Sequence, residues 1–132
     1  MKALDTNVLV RFLVRDDKKQ AEIVYRLFKR AESKNEPFFV PSLVVLETIW
    51  VLESVYEISR EEIRASLQKL LLMPILIFEA QSALQRTLSS AQTNKIDLAD
   101  LLIAHSAKFS NCDGVLTFDK KASKFALFEQ LT

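Results

Sequence analysis

The sequence predicts an α/β protein with a three-layer α/β/α arrangement, in which helices cover both faces of a central, mainly parallel sheet of four or five strands. Short apolar runs bounded by turn residues alternate with segments of helical periodicity, which is typical of this class. The 132 residues are 49% apolar and 27% charged, an ordinary globular mixture that can bury one core and that is far from the polar, charge-rich composition of disordered chains. We therefore expect one domain over residues 1–132.

Cap and turn residues divide the chain into its elements. Cap-prone residues follow the first apolar run, prolines bound the second, and a Ser-x-x-Glu capping box at Ser59 begins a helix that Pro74 ends. The predicted strands are 2–4, 38–40, 75–78 and 115–118, and the predicted helices are 8–13, 17–33, 42–53, 60–72, 80–93, 97–109 and 119–125. Helices that connect successive strands predict parallel pairing.

Residue types that occur once exclude several kinds of site. Gly114 is the only glycine, so the chain has no glycine-rich loop to cradle a nucleotide phosphate. Cys112 has no disulfide partner within the chain, and with His105 as the only histidine a Cys/His zinc site cannot form. A lone histidine also disfavours ribonuclease chemistry that uses a histidine pair, and the apolar segment around His105 favours a packing role or a contact at the rim of a site.

The N-terminal segment and the apolar segments predict the cellular compartment of the protein. The longest apolar run, Leu70–Phe78, is far shorter than the ~20 residues of a membrane span, and the charged N-terminus does not resemble a secretory signal. We expect a chain that begins at Met1 in the reducing cytoplasm, without membrane association. The formal net charge of +1, with basic ends and an acidic middle, excludes a uniformly basic nucleic-acid-binding surface.

Acidic residues follow the predicted strands, where ligand sites of parallel sheets collect. Asp5 follows the first strand and Asp119 the last, so both carboxylates are expected at the carboxyl edge of the sheet. Asp97 and Asp100 lie three residues apart at the start of a helix and face the same way. Each acid also has a structural alternative, because aspartate is a preferred N-cap and first-turn acids complement the helix dipole.

Glu47 lies in an almost uniformly apolar predicted helix, which predicts burial on most sides. A buried carboxylate needs a compensating partner, and no lysine or arginine occurs between Asn35 and Ser59. A carboxylate cluster around a divalent cation would account for Glu47 and the strand-end aspartates together. Ligands that are all oxygen indicate a hard cation, Mg²⁺ or Mn²⁺.

Four segments carry a resemblance to a known family: LDTNVLVRFLVRDD, SLVVLETIWVLE, DLADLLIAHSA and LTFDKKA. In this order they resemble the four acidic motifs of PIN-domain ribonucleases, and specifically of VapC-type toxins from type II toxin–antitoxin pairs. The likeness covers nearly the whole chain in order and spacing. It implies a PIN-like form of the predicted α/β/α fold.

The resemblance also implies the residues of the site. The metal-binding and catalytic acids are Asp5, Glu47, Asp100 and Asp119, and the polar supports are Thr6, Asn7 and Thr117. We assign the third motif to Asp100 because LLIAHSA follows it. Asp97 is a second-rank candidate for a metal ligand, since the resemblance requires only one aspartate of DLAD. Flanking Ile96 and Leu101 also form a hydrophobic staple that favours a cap at Asp97.

The implied activity is hydrolysis of RNA phosphodiester bonds with Mg²⁺ or Mn²⁺ as cofactor, leaving 5′-phosphate and 3′-hydroxyl ends. Four carboxylates repel a polyanion, so nearby cations must hold the RNA backbone. The candidates form two basic clusters: Arg11, Arg15, Lys18 and Lys19, and Lys120, Lys121 and Lys124.

The implied partners are an RNA substrate, a cognate antitoxin protein and a second copy of the chain. Long apolar stretches in the helices at 42–55 and 59–72 independently favour a homodimer, because one small domain need not bury all of them.

Two other classes of α/β protein with a strand-end aspartate are excluded. Haloacid-dehalogenase-like phosphatases need a second aspartate where this chain has Asn7, and receiver domains need an acidic pair at a strand end, whereas Asp16-Asp17 lies between helices. A non-catalytic PIN-like binding module and a nuclease for structured DNA remain as alternatives.

Overall fold

Helices and short strands alternate along the computed structural model, which describes all residues from Met1 to Thr132. The strands are β1 (Lys2–Ala3), β2 (Phe38–Val40), β3 (Leu76–Phe78), β4 (Val115–Thr117) and β5 (Phe128–Gln130). The helices are α1 (Thr6–Leu13), α2 (Lys18–Lys34), α3 (Ser42–Ser54), α4 (Arg60–Leu71), α5 (Gln81–Ser90) and α6 (Leu98–Phe109), with a 3-10 turn at Ala122–Lys124. Backbone contacts divide the chain into two units, Met1–Glu79 and Ala80–Thr132.

The first unit contains a parallel sheet in the order β1-β2-β3. Ala3 pairs with Phe39, and Val40 pairs with Phe78. Helices α1 and α2 connect the first two strands, and α3 and α4 connect the second and third. Because all strands run the same way, the residues that follow them lie at one edge of this sheet.

Apolar side chains of the helices and of β2 form the core of the first unit. Phe28, Val40, Ile49 and Ile63 are fully buried or nearly so. The ring of Phe28 packs against Phe12, with centroids 4.9 Å apart, and against Phe38 at 5.9 Å. This packing fixes α1, which carries Asp5 at its start.

Local signals set the helix boundaries closely. The Ser59 hydroxyl accepts from the Glu62 N–H at 3.2 Å, as the capping box predicts, and Asp17 caps α2 through the Gln20 N–H at 3.0 Å. Helix α2 ends at Asn35, which adopts the left-handed conformation with φ 53°.

The second unit contains α5 and α6, the 3-10 turn and a parallel pair of strands, β4 and β5. Val115 pairs with Phe128 and Thr117 with Gln130. Strand β5 is an addition to the sequence prediction, and a single 3-10 turn replaces the predicted helix 119–125.

The α/β class and the parallel pairing are confirmed, with the strands grouped into one three-stranded and one two-stranded sheet. No helix is both long enough and apolar enough to cross a membrane.

Candidate active site

Asp5 follows the first strand and caps α1. The N–H of Leu4 still pairs with the Phe39 carbonyl at 2.9 Å, so Asp5 emerges directly beyond the paired strand. One carboxylate oxygen of Asp5, Oδ1, accepts from the Thr6 N–H at 2.8 Å. Asp5 is therefore the N-cap of α1. The cap uses one oxygen of an exposed carboxylate and leaves Oδ2 for other partners.

Thr6 connects Asp5 to Glu47. Its side chain is buried, and its hydroxyl donates a hydrogen bond to Oε1 of Glu47 on α3. Two acids that are far apart in sequence are thus held by the backbone N–H and the hydroxyl of one residue. Asn7, the other predicted support in this segment, lies exposed in the first turn of α1.

The prediction that Glu47 is buried is wrong, because Glu47 is exposed. Helix α3 buries one face through residues such as Val45 and Ile49, whereas Leu43 is 78% exposed and Trp50 60% exposed. Glu47 lies on the same stripe as these two residues, four positions after Leu43 and three before Trp50. The apolar composition reflects an exposed apolar stripe rather than a helix enclosed on all sides.

Glu79 holds the start of α3, a role that sequence reasoning missed. Pro41, at the N-cap position, provides no side-chain cap, and Oε1 of Glu79 accepts instead from the Ser42 N–H at 2.9 Å. The signal was present, because Glu79 follows β3 as Asp5 follows β1. Glu79 thereby helps to place the helix that carries Glu47.

In the second unit, Asp119 organises the segment after β4. Its Oδ1 accepts from the N–H groups of Lys121 at 2.8 Å and Ala122 at 3.1 Å, so it caps the 3-10 turn. The Asp119 N–H donates to the hydroxyl of Thr117 at 3.0 Å. Thr117 therefore orients the backbone of Asp119.

Asp97 and Asp100 begin α6. Asp97 occupies the N-cap position, yet its side chain makes no capping hydrogen bond; it lies 3.8 Å from the ammonium group of Lys121. The pKa of Asp100 is raised, first by burial and then by repulsion from the carboxylates of Asp97 and Asp119, with Lys121 acting in the opposite direction. Negative charge is therefore concentrated around Asp100.

Each unit holds part of the predicted acidic set: Asp5 and Glu47 in the first, and Asp97, Asp100 and Asp119 in the second. Neither unit contains three or more His, Cys, Asp or Glu side chains close enough together to hold a metal ion. The carboxylate oxygens are the donors that a hard divalent cation prefers, so the donor chemistry fits Mg²⁺ or Mn²⁺.

Arg11 differs from the other predicted phosphate-binding cations. Its Nε donates to Gln20 at 2.7 Å, and its Nη1 donates to the Tyr56 hydroxyl at 3.0 Å and to Asp16 at 3.3 Å. The Tyr56 hydroxyl in turn donates to Asp16 at 2.9 Å. The remaining cations of both clusters are exposed, and among them only Lys121 forms an ion pair. These cations are Arg15, Lys18, Lys19, Lys120, Lys121 and Lys124.

His105 is a packed residue. It is buried, its Nε2 lies 2.7 Å from the Ser90 hydroxyl, and its ring meets the edge of Phe125 at 5.7 Å between centroids. Burial, followed by the positive charge of Arg86, lowers its pKa. These contacts support the packing role predicted for the only histidine.

Comparison with known families decides the assignment of the fold. The family model of the PIN domain matches residues 2–127, nearly the whole chain. The chain belongs to the PIN-domain family. A VapC ribonuclease of Aquifex aeolicus (strain VF5) is 27% identical to this PIN domain over 124 residues, which cover 94% of this chain and 91% of that protein. The resemblance carried by the four acidic motifs is confirmed.

Proposed function

We propose that this PIN domain is a metal-dependent endoribonuclease that hydrolyses RNA phosphodiester bonds. The observation that carries the proposal is the link through Thr6, which fixes Asp5 and Glu47 relative to each other at the carboxyl end of a parallel strand. The family match and the name of the VapC ribonuclease relative support nuclease chemistry.

Asp5, Glu47, Asp100 and Asp119 would hold the cation, with Asp97 as a second-rank ligand. The pKa of Asp100 is raised first by burial and then by repulsion from Asp97 and Asp119. The repulsive part supports this role, because a bound cation offsets repulsion among carboxylates. When bound, Mg²⁺ or Mn²⁺ supplies stabilisation of the negative charge that develops on the phosphoryl and leaving oxygens and eases deprotonation of the attacking water.

The protein's own residues have separate tasks in this reaction. Thr6 orients Asp5 and Glu47, and Thr117 orients the backbone at Asp119. Exposed lysines and arginines of the two basic clusters hold the phosphates against the repulsion of the acids. In-line hydrolysis leaves a 5′-phosphate and a 3′-hydroxyl.

We further propose that the protein is the toxin of a type II toxin–antitoxin pair, inhibited by a cognate antitoxin and active as a homodimer in the cytoplasm. The resemblance of the four acidic motifs to VapC-type toxins supports the toxin role, and the relative carries the name VapC ribonuclease. The exposed apolar stripe of α3, which includes Leu43 and Trp50, supports an interface with a second copy.

The test is incubation of the purified protein with total RNA in Mg²⁺, in Mn²⁺ and in EDTA, followed by mapping of the cut ends. We expect cleavage only with a divalent cation, 5′-phosphate ends, and loss of cleavage in Asp5→Asn. RNA binding without cleavage under every condition would favour a non-catalytic binding module. Cleavage of structured DNA with intact RNA would favour a DNA nuclease.

A further inference from the structure

The ring of Phe118 stands in solvent beside Asp119. Phe118 is 77% exposed, although it directly follows β4. The aromatic ring pairs of the structure involve other phenylalanines, namely Phe12, Phe28, Phe38 and Phe125. Phe118 therefore offers an unpartnered aromatic surface next to a proposed catalytic acid.

The backbone around Phe118 is fixed on both sides. Before it, the Thr117 carbonyl accepts from the Leu131 N–H at 2.7 Å, and the Thr117 hydroxyl accepts from the Asp119 N–H at 3.0 Å. After it, the Asp119 side chain caps the 3-10 turn through Lys121 and Ala122. Because the backbone is already ordered, stacking of a flat partner costs only the rotamer freedom of the ring itself.

Positively charged residues follow Phe118 from the second position onward, after Asp119. Lys120 and Lys124 are exposed and form no ion pair, whereas Lys121 is 3.8 Å from Asp97. An exposed aromatic side chain next to free cations is the combination that binds single-stranded nucleic acid, because the ring stacks on a base while the cations contact flanking phosphates.

We propose that Phe118 is a base-stacking residue that receives an unpaired nucleobase of the RNA substrate. The inference rests on the proposed ribonuclease function and specifies its substrate as a single-stranded segment, since both faces of a base inside a duplex are already covered. Stacking there places the adjoining phosphate near Asp119. Phe118 is thus a positioning residue rather than a catalytic one.

A docking site for a protein is the competing explanation of this exposed ring. Strand alternation places Leu116 on the same face as Phe118, and Leu116 is 62% exposed. A protein partner would use the apolar area of both residues and would accept leucine in place of phenylalanine. Base stacking requires an aromatic ring at position 118 and does not depend on the side chain of Leu116.

Binding of a short, unstructured, fluorescently labelled RNA in EDTA, which keeps the strand intact, separates these explanations. Phe118→Ala and Phe118→Leu should each weaken binding by about 5- to 150-fold, the range for loss of one stacked base, while Phe118→Tyr stays within about threefold of the wild type. The salt dependence should be unchanged in all three variants, because no charge is altered. Leu116→Ala is the matched control and should bind as the wild type does.

A second measurement reports the stacking directly. In a Trp50→Phe background, Phe118→Trp creates a protein with a single indole, since Trp50 is the only natural tryptophan. RNA should quench its fluorescence, whereas the same background with Phe109→Trp, another exposed ring position, should show no quenching.

Several results would overturn the inference while the ribonuclease function stands: wild-type affinity in Phe118→Ala, full retention in Phe118→Leu, or an equal loss in Leu116→Ala. Absence of RNA cleavage by the wild type with every metal would instead remove the proposed function, and the inference would fail with it.

Discussion

The buried hydroxyl of Thr6 donates a hydrogen bond to the exposed carboxylate of Glu47. The same residue gives its N–H to Asp5 at 2.8 Å. A threonine that follows a strand-end aspartate therefore orients two acids at once, and its removal should affect function more than stability.

We expect Thr6→Val to reduce metal-dependent cleavage by about 10- to 100-fold, the usual cost of losing a group that orients a metal ligand. Valine keeps the shape of threonine and removes the donor, and the exposed Glu47 can then hydrogen bond with water, so the fold should persist. Cleavage assays paired with thermal melting check this. Thr6→Ser, which keeps the hydroxyl, should restore most of the activity, and equal activity in Thr6→Val and wild type would show that the bond has no functional role.

Asp100 should make stability depend on pH in a defined direction. Its pKa is raised in the folded state, so between its unfolded value and its folded value the native state binds more protons than the unfolded state. The contribution of Asp100 to stability is therefore greatest in acid and falls as the pH rises through this window. In EDTA, Asp100→Asn should melt higher than the wild type near neutral pH, and the difference should shrink toward acid.

Asp113→Asn is the control for this experiment, because Asp113 is an exposed acid of a turn outside the proposed site. Mn²⁺ should raise the melting temperature of the wild type, since a ligand at 100 times its Kd adds about 2.7 kcal/mol to the stability of the native state. The rise should be smaller in Asp100→Asn. Identical melting of wild type and Asp100→Asn with and without Mn²⁺ would contradict a role of Asp100 in cation binding.

Arg11 should contribute more to the stability of the fold than to RNA binding. Its guanidinium joins Gln20, Asp16 and Tyr56 in one hydrogen-bonded network. We expect Arg11→Ala to lower the melting temperature and Arg15→Ala, which removes an exposed cation without an ion pair, to leave it unchanged. In a double-mutant cycle, Arg11→Ala with Tyr56→Phe should cost less than the sum of the single changes, because both remove the same network. Strict additivity would show that the Arg11–Tyr56 hydrogen bond contributes nothing.

Substitutions in the segment after β4 should affect RNA binding and RNA cleavage differently. Asp119→Asn should reduce cleavage through loss of a metal ligand, while RNA affinity is retained or slightly improved because a negative charge is removed. Replacing Lys120 and Lys121 with alanine should weaken binding for all RNA sequences alike and flatten the log–log salt slope by up to about two units. The effect should be smaller if Lys121 stays paired with Asp97.

A filter-binding salt titration combined with cleavage assays checks both variants. Wild-type cleavage by Asp119→Asn would remove Asp119 from the site. An unchanged salt slope in the double lysine variant would instead place the RNA along the first basic cluster, at Arg15, Lys18 and Lys19.

Local chemistry made much of this protein predictable from sequence. The cap at Ser59 formed as predicted, Asp5 and Asp119 follow parallel strands, and Asp100 lies in the first turn of its helix. These features depend on neighbours within a few residues, where backbone propensity and helical periodicity act directly. The four acidic motifs also predicted the PIN-domain family, and the family match confirms it.

Side-chain partners that are distant in sequence were decided by the tertiary structure. The apolar sequence around Glu47 does not specify which stripe of α3 is covered, so burial was predicted where the structure exposes the carboxylate. Tyr56 meets Arg11 from 45 residues away, and Glu79 caps α3 from 37 residues away. Strand β5 forms because Phe128–Gln130 pairs with β4, although one apolar residue followed by two polar ones does not predict a strand. The sequence by itself determined the element types and the acidic residues, since these follow from local propensity and motif. The folded chain decided which groups meet, because long-range packing selects one pairing among many that a local pattern permits.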